Sequence, residues 1–395
     1  MAHYSNLSTP LKVNGLNLKN RITMTPLYLG YANPDGTVSP LLLNYYREMA
    51  ASGAAMIVVE NSAIQASGLG SPFTLRSDHD RYLRGLRKLA ETIKREGALA
   101  VLQINHAGRY RFMPKMIAPS PIKTGDHTPE EMTTDQIRQT IAAFAAAAKR
   151  AKEAGFDGVE IHGGTSYLIV QFLSPKTNHR TDQYGGILEN RARFGLEVLE
   201  AVKLAAGKEF PIGYRFNADE WLPDGLHVEE TGYVARELEI RGLAYLSVMA
   251  GSYEAINQPE YLEQEKKEAY MAQFAGEIRK NLRHTPVIAA GRINTPQTAE
   301  NLLADGTADL IGLARVLLAD PLWPKKALGE SDIPIVQCQP SCSLCLKKVM
   351  KGEPVFCAQW PKDRRADFKK ATQTIGFKTR RILRYLRQKY IIKDW

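Results

Sequence analysis

Pro211-Ile-Gly-Tyr-Arg-Phe216, a helical pattern over 228–241, then Ala244-Tyr-Leu-Ser-Val-Met249: this strand, helix, strand succession decides the fold. Each flanking run is short and mostly apolar, and the segment between them carries apolar residues at helical spacing, which is the pattern of parallel strands joined by a crossover helix. The unit recurs on both sides. Strand patterns fall at 21–26, 55–60, 98–104, 158–162, 211–216, 244–249, 286–290 and 310–313, and helical patterns at 41–51, 82–95, 134–154, 190–206, 228–241, 270–282 and 298–305. Eight such strands, seven of them followed by a helical pattern, close on themselves, so the predicted class is α/β, a (β/α)8 TIM barrel. A barrel of this kind takes roughly 250 residues before insertions, and the 395 residues leave room for an appendage. The predicted organisation is a barrel over 1–330, a four-cysteine extension over 331–361 and a basic helical tail over 362–395.

In such barrels the loops at the C-terminal strand ends converge on the axis, and chemistry collects there. Gln103 with Asn105 and His106, His162, Arg215 with Asn217, and Arg292 fall at those ends. An arginine inside the apolar run 213–217 wants an anionic or strongly accepting partner, because an unpaired buried charge is costly; a structural ion pair at the barrel mouth is the alternative. Gly291-Arg292 follows the seventh strand pattern and Ala314-Arg315 the eighth. Those two loops commonly form the phosphate site of these barrels, Gly291 allowing close backbone approach and Arg315 supplying charge.

Cys338, Cys342, Cys345 and Cys357 fall within twenty residues, and the remaining positions contain no cysteine. Grouped thiols in a reducing compartment read as metal ligands before disulfides. The three-plus-one spacing favours an iron–sulfur cubane, with a four-cysteine zinc site as the alternative.

The net charge of +10 is concentrated: the stretch from Lys362 to Trp395 has twelve Lys and Arg against three Asp, leaving the rest at +1. That is a near-neutral body with a basic tail, which argues against a nucleic-acid-binding domain. Within the tail, Ile375, Ile382, Leu383, Leu386 and Tyr390 recur near helical spacing among Arg and Lys. Such a helix suits an anionic membrane surface or an acidic redox partner, or else packs as an ordinary C-terminal helix with a solvated face. The N-terminus lacks a basic start followed by an apolar run, and no apolar run approaches the ~20 residues of a membrane span, so a cytoplasmic location is expected.

Asn20-Arg-Ile-Thr-Met-Thr-Pro26, Leu102-Gln-Ile-Asn-His-Ala-Gly-Arg109 and above all Gly155-Phe-Asp-Gly-Val-Glu-Ile-His-Gly-Gly-Thr-Ser-Tyr-Leu168 resemble the old yellow enzyme family. So do Gln171-Phe-Leu-Ser-Pro175, Arg180-Thr-Asp-Gln-Tyr-Gly-Gly186 and Glu189-Asn-Arg-Ala-Arg-Phe194. The resemblance covers roughly residues 5 to 330. It implies a bound FMN, with Thr25, Pro26 and Leu27 against the isoalloxazine, Gln103 on its pyrimidine edge, Arg215 beside its N1–C2 carbonyl region, and Gly291, Arg292, Ala314 and Arg315 around the phosphate. It also implies reduction of an activated C=C bond in an α,β-unsaturated carbonyl compound, Tyr167 supplying the proton and His162 gripping the carbonyl. Three positions depart from the family pattern: Thr165 where a second His or Asn donor is usual, Tyr28 where a Cys or Thr is common, and Ala314 where Gly is usual.

The cysteine segment is similar to the [4Fe–4S] part of 2,4-dienoyl-CoA reductase and trimethylamine dehydrogenase, and the loop 251–255 to the dienoyl-CoA reductase loop that presents a second proton-relay residue, here Tyr253. The resemblance further implies a small-molecule substrate, a cluster fed by a redox partner protein or subunit, and NAD(P)H as an alternative direct donor. Two other readings stand beside the ene-reductase. One is an amine dehydrogenase or demethylase whose aromatic pocket would draw on Tyr28, Tyr167, Trp221 and Tyr253; the other is a non-catalytic electron-transfer subunit.

Overall fold

A computed structural model describes residues 4–112 and 116–373. Eight parallel strands form its centre: β1 (Ile22–Met24), β2 (Met56–Ala63), β3 (Leu99–Asn105), β4 (Gly158–Gly163), β5 (Ile212–Asp219), β6 (Tyr245–Ala250), β7 (Val287–Ala289) and β8 (Leu310–Leu313). Each pairs with the next, and β8 pairs back onto β1 through Ile311 opposite Ile22, which closes the (β/α)8 barrel. The crossovers are α1 (Pro40–Ala50), α2 (Leu83–Arg95), α3 (Thr134–Glu153), α4 (Leu188–Ala206), α5 (Val228–Ile240), α6 (Ala272–Lys280) and α7 (Pro296–Ala304). Every strand and helix pattern read from the sequence corresponds to one of these, with ends shifted by a few residues.

Local chemistry explains where the helices begin. Ser39 and Thr295 accept from the backbone N–H of Leu42 and Thr298, each followed by a proline at the first helical position. Thr133 and Gln136 form a capping box at α3. On α2, Leu86, Leu89, Ala90 and Ile93 make one buried stripe, and its Arg and Lys residues lie outside it.

The pleat of the strands divides the core into two layers. Ile57 and Val59 of β2 and Leu102 of β3 face the helices, whereas Met56, Val58 and Val101 face the barrel interior. The antiparallel hairpin of Leu11–Val13 and Leu16–Leu18 closes the N-terminal end of the barrel, packing Val13, Leu16 and Leu18 on Tyr245, Ile288 and Leu310. The opposite end is left to polar side chains.

The cysteine segment lies on that opposite end. The Val355 N–H donates to the Leu29 carbonyl at 2.9 Å, Trp360 Nε1 donates to the Leu318 carbonyl at 2.6 Å, and the Tyr31 hydroxyl donates to the Val355 carbonyl. Residues 362–373 continue as a helix, with Arg364 paired to Glu48 at 2.8 Å and Phe368 packed on Tyr31, Phe356 and Trp360. The amphipathic stretch expected from 374 onward lies outside the described residues. Among the described residues no helix is long and apolar enough to cross a membrane.

Candidate active site

Three adjacent strands turn the same polar layer inward. Val159 and Ile161 belong to the outer core, so Glu160 and His162 face the barrel; by the same alternation Gln103 on β3 and Arg215 on β5 face it too. Gln103 Nε2 donates to Glu160 Oε1 at 2.8 Å, and Arg215 Nη1 donates to Ser247 Oγ at 2.7 Å. Burial, opposed by Arg215, pushes the Glu160 carboxyl up to about 7. Burial, opposed by Glu160, lowers the Arg215 guanidinium.

Arg215 lines a cavity of about 120 Å³ with Thr25, Pro26, Gly291, Arg292, Ala314 and Arg315. The cradle suits a flat ring system ending in a phosphate. Gly291 has φ +107, and a Cβ there would press within 3.0 Å of Met271; a Cβ on Gly312 would come within 2.5 Å of Thr25 Cγ2. Three arginines on the wall, Arg215, Arg292 and Arg315, supply the positive field an anion needs. The residues fit FMN by chemistry. The Arg292 side chain is also engaged by its neighbours: its Nε donates to the Glu265 carbonyl at 2.8 Å, Nη2 reaches Glu265 Oε1 at 3.2 Å, and Nη1 lies 3.8 Å from Cys338 Sγ. Arg315 Nη1 meets the same Glu265 oxygen at 2.5 Å. One carboxylate thus clamps both arginines, leaving Arg315 as the partly exposed cation.

Beyond Arg315 a second cavity, of about 230 Å³, is lined by Leu27, Tyr28, Thr165, Tyr253, Tyr261 and, from the cysteine segment, Cys345, Leu346, Val349 and Val355. Tyr167 is the N-cap of the short helix Leu168–Leu173 and reaches the cavity wall through Tyr253. Its hydroxyl is 2.8 Å from that of Tyr253, and its ring meets His162 edge to face at 4.9 Å. Burial raises the Tyr167 hydroxyl above its ordinary range despite Tyr253 and Asn61 beside it, so it stays protonated at neutral pH. The His162 imidazole is pushed down to about 3 by burial and by Arg215. Its Nδ1 accepts from the Gly164 N–H at 3.3 Å, which leaves the proton on Nε2 as a neutral donor.

The other expected binding residues are present but turned. Thr165 has φ +53, an outlying conformation for a β-branched residue, and its hydroxyl is directed to Met249 Sδ at 3.3 Å. Tyr28 is hydrogen-bonded to Ser71. Trp221 is not among the cavity's lining residues; it stacks on Tyr270 with the ring planes 9° apart and packs against Tyr261 and Phe274. The sequence reading missed Glu160, Glu265, Asn61 and Ser71. Glu160 carried the same signal as Arg215, a charged residue at an inward position of an apolar run; Asn61 lies near the end of β2, Glu265 ends the helix Pro259–Glu265 and Ser71 lies outside the strands.

The four cysteines are free thiols brought together over this end of the barrel, close enough that Cys338, Cys342 and Cys345 all raise the Cys357 thiol beyond what burial does. Their chemistry suits a cluster. Among the described residues, however, no set of three or more Cys, His, Asp or Glu side chains is gathered tightly enough to hold a metal ion.

The profile of the NADH:flavin oxidoreductase / NADH oxidase family matches residues 6–332. The chain is 40% identical over 353 residues to an NADH oxidase of Thermoanaerobacter brockii, covering 87% of this chain and 54% of that protein. It is 42% identical over 357 residues to a metal reductase of Desulforamulus reducens, covering 89% and 53%. Among solved structures it superimposes on a 2-naphthoyl-CoA reductase complex with a TM-score of 0.86 at 29% identity, covering 91% of this chain and 57% of that one. The chain therefore spans about half the length of these relatives.

Proposed function

This chain belongs to the NADH:flavin oxidoreductase / NADH oxidase family, that is, the old yellow enzyme family of FMN oxidoreductases, and from that premise we propose that it reduces an activated C=C bond conjugated to a carbonyl group. The observation that carries this reading is the contact of two donors of different kinds: the protonated Tyr167 hydroxyl and the neutral His162 Nε2–H, on rings 4.9 Å apart, with Tyr167 hydrogen-bonded to Tyr253 of the second cavity's wall.

FMN, held by Thr25, Pro26, Leu27, Gln103, Arg215, Gly291, Arg292, Ala314 and Arg315, supplies hydride transfer when bound. The rest of the work falls to side chains of the chain. Arg215 offers fixed positive charge to the ring edge it faces, at no reorganisation cost because Ser247 already holds it. His162 polarises the substrate carbonyl by donating from Nε2 without carrying charge. Tyr167 gives a proton to the α-carbon, and Tyr253, in hydrogen-bond contact, is placed to replace it. Thr165, turned to Met249, leaves His162 with a weaker partner than a second imidazole, so the carbonyl is held through one strong donor. The apolar wall of Leu346, Val349 and Val355 suits a substrate with hydrophobic bulk beyond the conjugated group. The similarity to a reductase whose substrate is a naphthoyl thioester supports a conjugated acid derivative.

Electron delivery through a [4Fe–4S] cluster on Cys338, Cys342, Cys345 and Cys357, from a partner protein, is part of the proposal. Its support is the spacing of the four cysteines along the chain, with Cys338 on the wall of the first cavity and Cys345 on that of the second. Direct reduction by NAD(P)H is the alternative supply. The amine-oxidising reading keeps Tyr28 and Tyr253 on the cavity wall, whereas Trp221 packs outside the lining. The test is anaerobic: quantify flavin, iron and sulfide, then mix the reduced protein with a panel of enones, enoates and unsaturated thioesters, and the oxidised protein with amines. Reoxidation by the first panel supports the proposal; bleaching by the second with no reoxidation by the first overturns it.

A further inference from the structure

Glu160 is a fully buried acid with no part in the chemistry described so far. From β3, Gln103 Nε2 donates to it at 2.8 Å; from β5, Arg215 stabilises its charge; from β6, the Tyr245 hydroxyl faces it, while Ser247 takes Arg215 instead. His162, two residues along β4, feels Arg215 as well. Arg215 thus lies near enough to act on the Glu160 charge and also lines the cavity of about 120 Å³, and Glu160 Oε2 is buried with no hydrogen-bond partner among the described residues. One cation cannot serve two anions equally in a medium of low polarisability, so charge arriving on one side changes what the other side can carry.

We propose that Glu160 is a proton-uptake residue for the flavin site: it takes one proton from water when negative charge arrives opposite Arg215. This rests on FMN occupying that cavity. Reduction by a nicotinamide or by dithionite brings two electrons and one proton to the site, leaving one negative charge facing Arg215. The proton acquired by the Glu160 carboxylate restores the former net charge, so the whole event consumes two electrons and two protons. Burial sets the carboxyl near neutrality, about 7, which places the effect in an accessible pH range.

The experiment is a spectroelectrochemical titration of the FMN-loaded protein between pH 6 and 9, wild type against Glu160→Gln. For a two-electron couple each proton is a tenfold change per pH unit, about 30 mV. The wild-type slope is expected to steepen by that amount above neutral pH, and E160Q to keep the shallower slope throughout. Equal slopes in both FMN-loaded proteins overturn the proposal. If E160Q does not fold, infrared difference spectra of the wild type above neutral pH decide: a protonated carboxyl band gained on reduction supports it, and no such band overturns it. A wild-type protein that does not hold FMN overturns the reading of the cavity itself, an outcome separable from equal slopes.

Discussion

The Tyr167 hydroxyl lies 2.8 Å from the Tyr253 hydroxyl, and burial keeps both protonated. Tyr167→Phe is therefore expected to slow substrate reduction by roughly 10²–10⁴-fold, the usual worth of a positioned acid, while leaving reduction of the flavin unchanged. Tyr253→Phe removes the resupply but not the donor, and its loss is expected to be smaller. Stopped-flow measurement of the two half-reactions checks this; equal losses in both halves for Y167F would mean a structural role.

Thr165 holds φ +53 at the position next to the cavity. Asparagine accepts that backbone more readily than a β-branched residue, so Thr165→Asn is expected to be at least as stable, by up to about 1 kcal/mol. It also adds an amide donor near His162. A lower KM for a cyclic enone, with chemical denaturation showing no loss of stability, is the expected result.

Glu265 clamps Arg292 and Arg315 through one oxygen. Glu265→Gln leaves two guanidinium groups without their carboxylate, and breaking a buried pair costs roughly 3–5 kcal/mol, less here because Arg315 is partly exposed. Arg315→Ala removes a cation from the cavity wall. FMN binding followed by flavin fluorescence is expected to weaken at least tenfold in R315A, and thermal unfolding of the apo-protein to fall in E265Q.

Glu60 is buried with no ion-pair partner among the described residues, its Oε2 accepting from the Leu29 N–H at 3.0 Å, and burial pushes its carboxyl up to about 8. The folded state thus favours the neutral acid. Its stabilising contribution is full below the ordinary pKa of 4.5, declines by up to about 1.4 kcal/mol per pH unit between 4.5 and 8, and is lost above 8. Glu60→Gln is expected to remove that decline, so the variant gains on the wild type as pH rises across this window. Denaturant titrations at pH 5, 6.5 and 8 check the sign.

The barrel was legible in the sequence because its determinants are local and repeated. A buried parallel strand must be continuously apolar and its crossover helix must carry a stripe, so period alone marks each of the eight units. The positions of Gln103, His162, Arg215 and Arg315 were legible for a related reason, since a polar residue at a strand end stands out against that background; Tyr167, beyond the end of β4, was marked only by the family resemblance. What a side chain does there was not. Whether Arg292 also meets Glu265, or Thr165 faces a substrate or Met249, depends on which distant residue arrives opposite, and no local pattern encodes it.

By itself the sequence determined the fold class, the end of the barrel that carries chemistry and the grouping of the four cysteines. Only the tertiary structure decided that the cysteine segment roofs the cavity of Tyr28 and Tyr253, that one carboxylate clamps two arginines, and that Glu160 shares Arg215 with the FMN cavity. Propensity and periodicity act over a few residues. Electrostatic sharing inside a barrel is settled by groups far apart in the chain, such as Gln103, Glu160 and Arg215, once the pleat has turned them all to one side.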